Sequence, residues 1–358
     1  MTPGSINVNA RRLEWVDCAK GIGILLVVYG HLGRGALSAG LTANADAMLL
    51  IDSLIYSFHM PLFFFLAGFS FRKSSEKRDT WQFISGKVGS LLYPYLVWSI
   101  LQGIVHVLLS RWTNYPRTFQ ELVSIPWQPI GQFWFLLALF WLFALNTFLA
   151  VWLRRAALWV SLACAVVLYA LNPPSLPFIP SQVFANLIFF NVGWLVSMHE
   201  ESISRLHVGL RSLGLLALVF IAGEFWFHHA GFRYNQAPFL LRLSLALSGI
   251  ALVICISGKL RGMILRIFAY LGRYSMPIYL MHILIAAGLR ILLQHYLDID
   301  NLMIHVIIIM PITLLLPIMF YRFACSRKGG WLFMPPGASL KEKLGMTHKP
   351  ALSWEEKV

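Results

Sequence analysis

Lys20 and His31 lie on one apolar run of the sequence, at a spacing that suits chemistry on a long anionic molecule. They are eleven positions apart. In an α-helix this separation is close to three turns, or about 16 Å along the axis, so both side chains are expected on one face. A basic group can hold phosphate, and an imidazole deeper inside can accept a proton beside a reacting carbonyl. A buried histidine is as often a structural hydrogen-bonding group, and a lysine at a membrane boundary is common.

A second apolar run carries His59 and Pro61, followed by Gly68. Proline removes a backbone donor and can open a helix, and glycine permits close helix approach. Asp52 precedes His59 by seven residues, which predicts that both lie on one face and that the carboxylate can pair with the imidazole. The alternative is that Asp52 is a boundary residue in contact with water.

A third apolar run repeats the first arrangement with Arg273 and His282. If both lie on one helix, the imidazole is about 14 Å deeper than the guanidinium. Tyr279 could hydrogen-bond in the same cavity, and Pro277 permits a kink. We therefore expect the first and third runs to face one another, although ordinary packing of polar side chains between helices is the alternative.

The elements that must position these side chains are predicted to be membrane-spanning helices. Of the 358 residues, 58% are hydrophobic and 12% are charged, and the mean hydropathy is +0.69. The apolar residues fall in blocks long enough to cross a bilayer, and backbone groups in lipid must be paired within the segment. We predict an all-α polytopic membrane protein with about ten spans, near 20–39, 48–70, 88–109, 132–152, 157–171, 183–198, 212–228, 238–257, 267–292 and 302–323.

The formal net charge of +14 is distributed in a way that favours a membrane protein over a nucleic-acid-binding protein. Lys and Arg concentrate in alternate connections between the apolar blocks, which predicts that both termini are cytoplasmic. A nucleic-acid site would pool basic residues on one face, so no nucleic-acid partner is expected. The four cysteines stand apart, so neither a disulfide framework nor a metal site is predicted. We expect no cleaved signal peptide, because removal would upset the charge alternation.

The chain is predicted to form one membrane domain. Residues 1–12 are expected to be a cytoplasmic N-terminal segment, residues 13–325 the transmembrane domain, and residues 326–358 a basic, poorly ordered cytoplasmic tail. The proline-containing outer connections are candidates for a lid over an outer cavity.

Several motifs together resemble the acyltransferase-3 family, and in particular its sugar O-acetyltransferase branch. They are Asp17-x-Ala19-Lys20-Gly21 through Gly30-His31, Phe58-His59-Met60-Pro61-Leu62-Phe63-Phe64, Leu271-Gly272-x-x-Ser275-x-x-Ile278-Tyr279-x-x-His282, the set Lys87, Pro94, Tyr95 and Trp98, and Trp134-Phe135-Leu136. The similarity covers about residues 13 to 325. Two positions depart from the family pattern: Lys20 stands where arginine is frequent, and Ala67 stands where serine is frequent.

The resemblance implies acetyl-CoA as donor, His31 as the essential catalytic residue, and Lys20 with Arg72 and Lys73 as contacts to the donor phosphates. We predict that His282 and Asp52 join His31 in catalysis. We further predict that Lys87 and Arg273 join the donor site, and that His59, Tyr279 and Trp134 contact the acceptor. No metal is expected.

The predicted function is transfer of an acetyl group from cytoplasmic acetyl-CoA to a sugar hydroxyl of a glycan on the far side of a bacterial inner membrane. By family analogy the glycan is an exopolysaccharide, and polysaccharide biosynthesis proteins are expected partners. Direct attack of the hydroxyl assisted by His31 is the first mechanism, and an acetyl-histidine relay is the second. Two alternatives from other classes are a transporter or flippase of a lipid-linked sugar and a membrane sensor or assembly subunit without chemistry.

Overall fold

The structure is a computed structural model that describes residues 8–41, 45–110, 118–171, 176–199, 209–232 and 237–336, with side chains from residue 14 onward. All regular elements in these ranges are helices. The α-helices are α1 (Val8–Ser38), α2 (Ala45–Tyr56), α3 (His59–Ser75), α4 (Thr80–Lys87), α5 (Tyr93–Leu108), α6 (Phe119–Val123), α7 (Trp134–Leu153), α8 (Ala157–Leu171), α9 (Phe178–Met198), α10 (Leu210–His229), α11 (Phe239–Lys259), α12 (Gly262–Arg273), α13 (Ser275–Ile291) and α14 (Leu302–Ser326).

Within the described residues, nine helical segments are long and apolar enough to cross a membrane. One of them, Gly131–Leu171, contains both α7 and α8. Ser161 Oγ donates to Asn146 Oδ1 at 2.9 Å, whereas fifteen residues of a continuous helix would separate them by about 22 Å. The chain therefore reverses between the two helices, at Arg154, where φ is +49°. The all-α polytopic fold is thus confirmed, with this hairpin supplying two of the predicted spans.

Glycines allow two pairs of helices to approach at backbone distance. A Cβ atom at Gly21 of α1 would lie 1.9 Å from the carbonyl oxygen of Phe268 in α12, and one at Gly272 would lie 1.7 Å from that of Asp17. A Cβ atom at Gly68 of α3 would similarly lie 1.9 Å from a carbonyl oxygen of α9. Small residues serve the same purpose in many membrane helix pairs, where packing rather than hydrophobicity drives association.

The second predicted span is interrupted in the structure. α2 ends at Tyr56 and α3 begins at His59, so Ser57 and Phe58 form a turn inside the segment Ala45–Ser75. Pro61 follows at the third position of α3, where a missing N–H costs little because the first turn has no partners for its N–H groups. The break places His59 at a helix N-terminus rather than in the middle of a span.

The ninth predicted span, 267–292, is wrong at its start. Its first residues belong to the separate helix α12, and the segment that crosses is Ser275–Tyr296. Tyr274 forms the turn, with φ −100° and ψ +15°. Arg273 and Ser275 flank this turn in the sequence, but the apolar residues on both sides led to a single predicted span. The close crossing of α12 with α1 fixes the turn.

The two ends of the helix bundle differ in charge. We call the end at which α1 starts and α3 ends the basic end, and the other the far end. The described Lys and Arg side chains at the basic end are Lys20, Arg72, Lys73, Lys77, Arg78, Lys87, Arg154, Arg155, Arg211, Lys259, Arg261, Arg266, Arg273, Arg322, Arg327 and Lys328, and those at the far end are Arg34, Arg242 and Arg290.

Part of the predicted C-terminal tail is folded. Residues Gly329–Leu332 form a 3₁₀ turn after α14. The indole Nε1 of Trp98 donates to the carbonyl oxygen of Leu332 at 2.8 Å, and the hydroxyl of Tyr93 donates to that of Trp331 at 2.8 Å. The fold therefore extends beyond residue 326, and residues 337–358 lie outside the described residues.

Candidate active site

The imidazoles of His31 and His282 face each other. The two ring centroids are 5.0 Å apart and the ring planes are inclined by 56°. His31 comes from α1, and His282 comes from α13, which packs beside α1. The side chain of His282 is completely buried. The structure thus brings together two of the three predicted catalytic residues.

The hydrogen bonds of His282 identify its tautomer. Its Nδ1 lies 2.7 Å from the carbonyl oxygen of Tyr279. A carbonyl oxygen only accepts, so Nδ1 carries the proton and Nε2 presents a lone pair in the neutral ring. Nε2 is buried and has no hydrogen-bond partner among the described residues. His282 can therefore accept a hydrogen bond or a proton next to His31.

His59 supplies a third imidazole near this pair. It is almost fully buried, and its Nδ1 donates to the carbonyl oxygen of Ile55 at 2.8 Å. The ring meets that of Tyr56 edge-on at a centroid distance of 4.6 Å. His31 interacts electrostatically with both His59 and His282. His59 follows directly after the break between α2 and α3, so this break sets its position.

Asp52 is bound to Arg34 and does not contact His59. Arg34 Nε lies 2.8 Å from Asp52 Oδ1. A guanidinium on the neighbouring helix satisfies the carboxylate, while His59 uses its only proton on Ile55. The predicted Asp52–His59 pair is therefore absent from the structure. The prediction from sequence assumed one continuous helix from Asp52 to His59 and therefore did not include the break between α2 and α3.

Arg34, Asp52 and Tyr56 form a polar group beside a groove at the far end. Arg34 Nη1 donates to the hydroxyl of Tyr56 at 2.9 Å, and its guanidinium lies 3.8 Å from the centre of the Tyr56 ring. The side chains of Arg34 and Asp52 are 34% and 26% exposed. The groove is open to solvent, and Gly30 and Gly33 also line it. It therefore adjoins the helix segment that carries His31.

Tyr279 and Trp134 occupy different positions relative to the imidazoles. The Tyr279 hydroxyl donates to the backbone carbonyl of Gln132, and its ring centroid is 6.0 Å from that of His282. Trp134 packs against Phe64 and Phe178, both at centroid distances of 6.2 Å. Tyr279 is thus part of the buried site, whereas Trp134 lines an adjoining aromatic layer.

Four basic side chains from α1, α4, α12 and the connection between α3 and α4 lie at the basic end of the bundle. Lys87 interacts electrostatically with Lys20 and Arg78. Its Nζ lies 3.7 Å from the centre of the Phe143 ring, which fixes the ammonium by a cation–π contact. Arg273 Nε lies 3.6 Å from a carboxylate oxygen of Asp17, which also interacts with Lys20. We call Lys20, Arg78, Lys87 and Arg273 the basic cluster.

Arg72 and Lys73 lie at the exposed end of α3. Arg72 Nε donates to Glu76 Oε1 at 2.9 Å, one turn along the chain, and both side chains are well exposed. Lys73 is also exposed. Flexible exposed side chains of this kind can reach an anion at the rim of a site, but they do not define its geometry.

Sequence reasoning missed Arg34, Tyr56, Arg78 and the Gln102–Gln132 pair as site residues. The two glutamine side chains exchange hydrogen bonds at 2.9 and 3.2 Å and hold the backbone that accepts from Tyr279. Arg34 and Gln102 could have been identified from the sequence, because each is a polar residue within an apolar run. In the part of the chain that the structure describes, no group of three or more His, Cys, Asp or Glu side chains is arranged to hold a metal ion.

Comparisons with known proteins point to one family. A family model described as an acyltransferase domain matches residues 13–322. The nodulation protein NolL of Sinorhizobium fredii is 29% identical over 199 residues, which is 55% of this chain and 52% of the relative. The nodulation protein NolL of Mesorhizobium japonicum is 30% identical over 175 residues, which is 48% of this chain and 44% of the relative. The chain thus spans about half the length of these relatives. No solved structure matches.

Proposed function

The chain belongs to the acyltransferase-3 family, and from this premise we propose that it transfers an acetyl group from cytoplasmic acetyl-CoA to a sugar hydroxyl of a glycan. The acceptor is reached from the far side of the bacterial inner membrane. The glycan is an exopolysaccharide or its lipid-linked precursor, and proteins of polysaccharide biosynthesis are the expected partners. The relatives named for nodulation are bacterial proteins, which supports the bacterial setting.

One observation carries the proposal: basic side chains lie at the same end of α1 and α12, and the imidazoles of α1 and α13 face each other further along. Lys20 and His31 lie on α1, Arg273 is the last residue of α12, and His282 lies on α13. α1 contacts α12 at Arg273 and α13 at His282. The distance from Lys20 to His31 along the helix is about 16 Å. An extended donor with phosphates at the basic cluster can thus place its thioester near the imidazoles.

The donor would be held by charge at the basic cluster. Lys20, Arg78, Lys87 and Arg273 come from separate parts of the chain, and their charges would attract the phosphates of acetyl-CoA. Lysine binds phosphate as a point charge, whereas arginine can also bind it through two hydrogen bonds. Arg72 and Lys73 would contribute at the rim.

The reaction needs one proton to move. His31 takes the proton of the acceptor hydroxyl as that oxygen attacks the acetyl carbonyl, forming the C–O bond. When the tetrahedral intermediate collapses, the C–S bond breaks and the thiolate of CoA takes the proton from His31. The Nε2 lone pair of His282 stabilises the imidazolium in between and orients the ring. The acetyl-histidine relay is the alternative route, in which a nitrogen of His31 is acetylated before the hydroxyl attacks.

The acceptor would be recognised at the far end of the site. Arg34, Asp52 and Tyr56 offer both donors and acceptors beside the groove, a combination that suits sugar hydroxyls. His59 contacts the ring of Tyr56 and Tyr279 contacts the ring of His282, and both would contact the reacting sugar. Trp134 would contribute only through the aromatic layer.

The test uses purified full-length protein in proteoliposomes with radiolabelled acetyl-CoA and extracted glycan as acceptor. Wild-type protein is expected to acetylate the glycan, and His31→Ala is expected to lose transfer by at least about 100-fold while CoA still stabilises the protein against heat. Near-normal transfer by His31→Ala would overturn the assignment of the base. Movement of a lipid-linked sugar without acetylation would overturn the proposed function in favour of a transporter. A labelled acetyl-protein trapped without acceptor would select the relay over direct transfer.

A further inference from the structure

A buried acidic residue, Glu224, lies outside the site described above. It belongs to α10, a membrane-spanning helix, and its side chain is only 3% exposed. Most of the surrounding surface of α10 is apolar and exposed, including Leu218, Ile221 and Phe225. An ionised carboxylate inside a span costs about 2.5–3.5 kcal/mol, so such a residue usually has a function and a partner. Glu224 faces inward, toward Ser57.

The hydrogen bonds of Ser57 determine the protonation state of Glu224. Ser57 Oγ lies 2.8 Å from the carbonyl oxygen of Leu54 and 2.6 Å from Oε1 of Glu224. A serine hydroxyl has one proton to donate, a carbonyl oxygen can only accept, and an ionised carboxylate can also only accept. Two full hydrogen bonds therefore require that the carboxyl group donates one of them. With Glu224 protonated, its carboxyl O–H donates to Ser57 Oγ, and Ser57 Oγ–H donates to the carbonyl oxygen of Leu54.

The other neighbours of the carboxyl group agree with a neutral acid. Oε2 of Glu224 is buried and has no hydrogen-bond partner among the described residues. His228 Nδ1 is 3.6 Å from Oε2, but it donates its proton to the backbone oxygen of Glu224 at 2.8 Å. The Nε2 atom of His228 is also buried and without a partner in the described part of the chain. Among the described residues no Lys or Arg side chain pairs with Glu224, so without a charge on His228 a neutral acid is the less costly form.

The contact with Ser57 falls on the turn that orients His59. Ser57 and Phe58 form the break between α2 and α3, and His59 follows directly. Phe58 packs edge-on against Phe220, one turn before Glu224 on α10, at a centroid distance of 5.4 Å. On the other side, a Cβ atom at Gly249 of α11 would lie 2.6 Å from Phe58. The turn thus packs between α10 and α11.

We propose that Glu224 is a positioning residue for acyl transfer: as a neutral carboxylic acid it hydrogen-bonds Ser57, fixes the break in the second span, and so aligns His59 with His31 and with the acceptor groove. This role rests on the proposed function. Glu224 does not touch the reacting atoms. It acts at the acceptor side only, because the basic cluster lies toward the opposite end of the bundle.

The kinetic test compares Glu224→Gln, Glu224→Leu and Ser57→Ala in the proteoliposome assay. The glutamine amide can donate to Ser57 Oγ, so Glu224→Gln should keep kcat within about threefold of wild type. The leucine variant and Ser57→Ala should each lower kcat by about 10- to 100-fold, since small displacements of reacting groups have effects of that size. The KM for acetyl-CoA should stay unchanged in all three. The double variant Ser57→Ala/Glu224→Leu should lose no more than either single variant, because both remove one interaction.

Ser161→Ala is the matched control, since it removes a buried hydroxyl that is also hydrogen-bonded between helices but lies in α8. It should leave kcat near the wild-type value. The proposal would be overturned if Glu224→Gln were as damaging as Glu224→Leu, if Glu224→Leu left kcat unchanged, or if Glu224→Leu raised the KM for acetyl-CoA as much as it lowered kcat.

An infrared measurement tests the protonation state without any activity. A protonated carboxylic acid has a C=O stretching band that a carboxylate lacks. The difference spectrum between wild type and Glu224→Gln at neutral pH should contain this band, and its absence would overturn the proposal. If wild-type protein transfers no acyl group yet shows the band, the proposed function fails while the neutral, hydrogen-bonded Glu224 stands.

Discussion

At the residue scale, the tautomer of His282 is fixed by its hydrogen bond to a backbone carbonyl. With Nδ1–H committed to Tyr279, the lone pair of Nε2 is the group available to His31. In the proposed mechanism, a second imidazole in that position can share the proton that His31 would remove from the acceptor. The proposed role of His282 thus has a geometric basis in addition to the motif.

Replacing His282 by Asn should distinguish the role of Nδ1 from that of Nε2. The amide of asparagine can still donate to the Tyr279 carbonyl, but it offers no basic nitrogen to His31. We expect kcat to fall by about 100-fold or more, which is the usual range for losing an acid–base group, with little change in the KM for acetyl-CoA. Steady-state kinetics in proteoliposomes measure both values. His305→Gln is the control, since His305 is also buried in a span and its Nε2, whose place the glutamine amide can take, is bonded to a backbone carbonyl. Equal losses in the two variants would contradict the assignment.

Asp52 and Arg34 should affect acceptor binding more than the chemical step. Because each neutralises the other at the edge of the groove, Asp52→Asn leaves an unpaired guanidinium and a changed pattern of hydrogen-bond acceptors. We expect the KM for the glycan acceptor to rise about tenfold, equivalent to about 1.4 kcal/mol, with kcat little changed. Transfer measured over a range of acceptor concentrations distinguishes this from the catalytic role predicted from sequence. A large fall in kcat with an unchanged acceptor KM would support the catalytic role instead.

At this scale, part of the site was predictable from spacing alone. Lys20 and His31 share a continuous helix, so helical geometry relates them directly. Asp52 and His59 do not, because a turn at Ser57 intervenes. The Arg34–Asp52 ion pair joins two helices, and no local pattern encodes such a contact. Glu224 was visible in the sequence as an acid within an apolar run, but its partner Ser57 is 167 positions away.

At the element scale, the close crossing of α12 and α1 sets the position of Arg273. Gly21 and Gly272 have no room for a Cβ atom, because the nearest atoms are backbone carbonyls that cannot rotate away. The ion pair between Arg273 and Asp17 lies at this crossing. The basic cluster therefore depends on how closely two backbones approach.

Gly272→Ala should disturb this crossing and weaken donor binding. The added methyl group would lie 1.7 Å from the carbonyl oxygen of Asp17, so α12 must move. Overpacking of this kind costs about 1–3 kcal/mol, which should lower the thermal unfolding midpoint in detergent and raise the KM for acetyl-CoA. Gly258→Ala is the control, because no atom lies within 4 Å of its added Cβ. An unchanged midpoint for Gly272→Ala, or an equal loss for Gly258→Ala, would contradict the described packing.

Hydropathy predicted the spans but not their interruptions, for a physical reason. A helix that crosses the lipid needs a long stretch of apolar residues, so each span is recognisable in the sequence as such a stretch. The turns at Ser57–Phe58 and Tyr274 contain only a few polar residues within longer apolar runs, and they are fixed by contacts with α10, α11 and α1. The helices that carry the site are thus identifiable in sequence, whereas the breaks that aim His59 and His282 depend on tertiary packing.

At the scale of the whole molecule, the charge asymmetry between the two ends indicates how the protein is oriented. The basic end holds most of the described Lys and Arg side chains, and positively charged connections generally remain in the cytoplasm. The proposed function needs this orientation, since acetyl-CoA is a cytoplasmic donor. The groove beside Arg34 would then open toward the outer half of the membrane.

Labelling with a membrane-impermeant maleimide in intact cells tests this orientation. In a variant whose native cysteines Cys18, Cys164, Cys255 and Cys325 are replaced by serine or alanine, Ala156→Cys places a thiol in the exposed turn between α7 and α8 at the basic end. Asp300→Cys places one in the exposed connection between α13 and α14 at the far end. The Asp300→Cys thiol should react in intact cells, and the Ala156→Cys thiol only after the membrane is permeabilised. The reverse pattern would place the basic cluster outside the cell, where acetyl-CoA is absent, and the proposed direction of transfer could not hold.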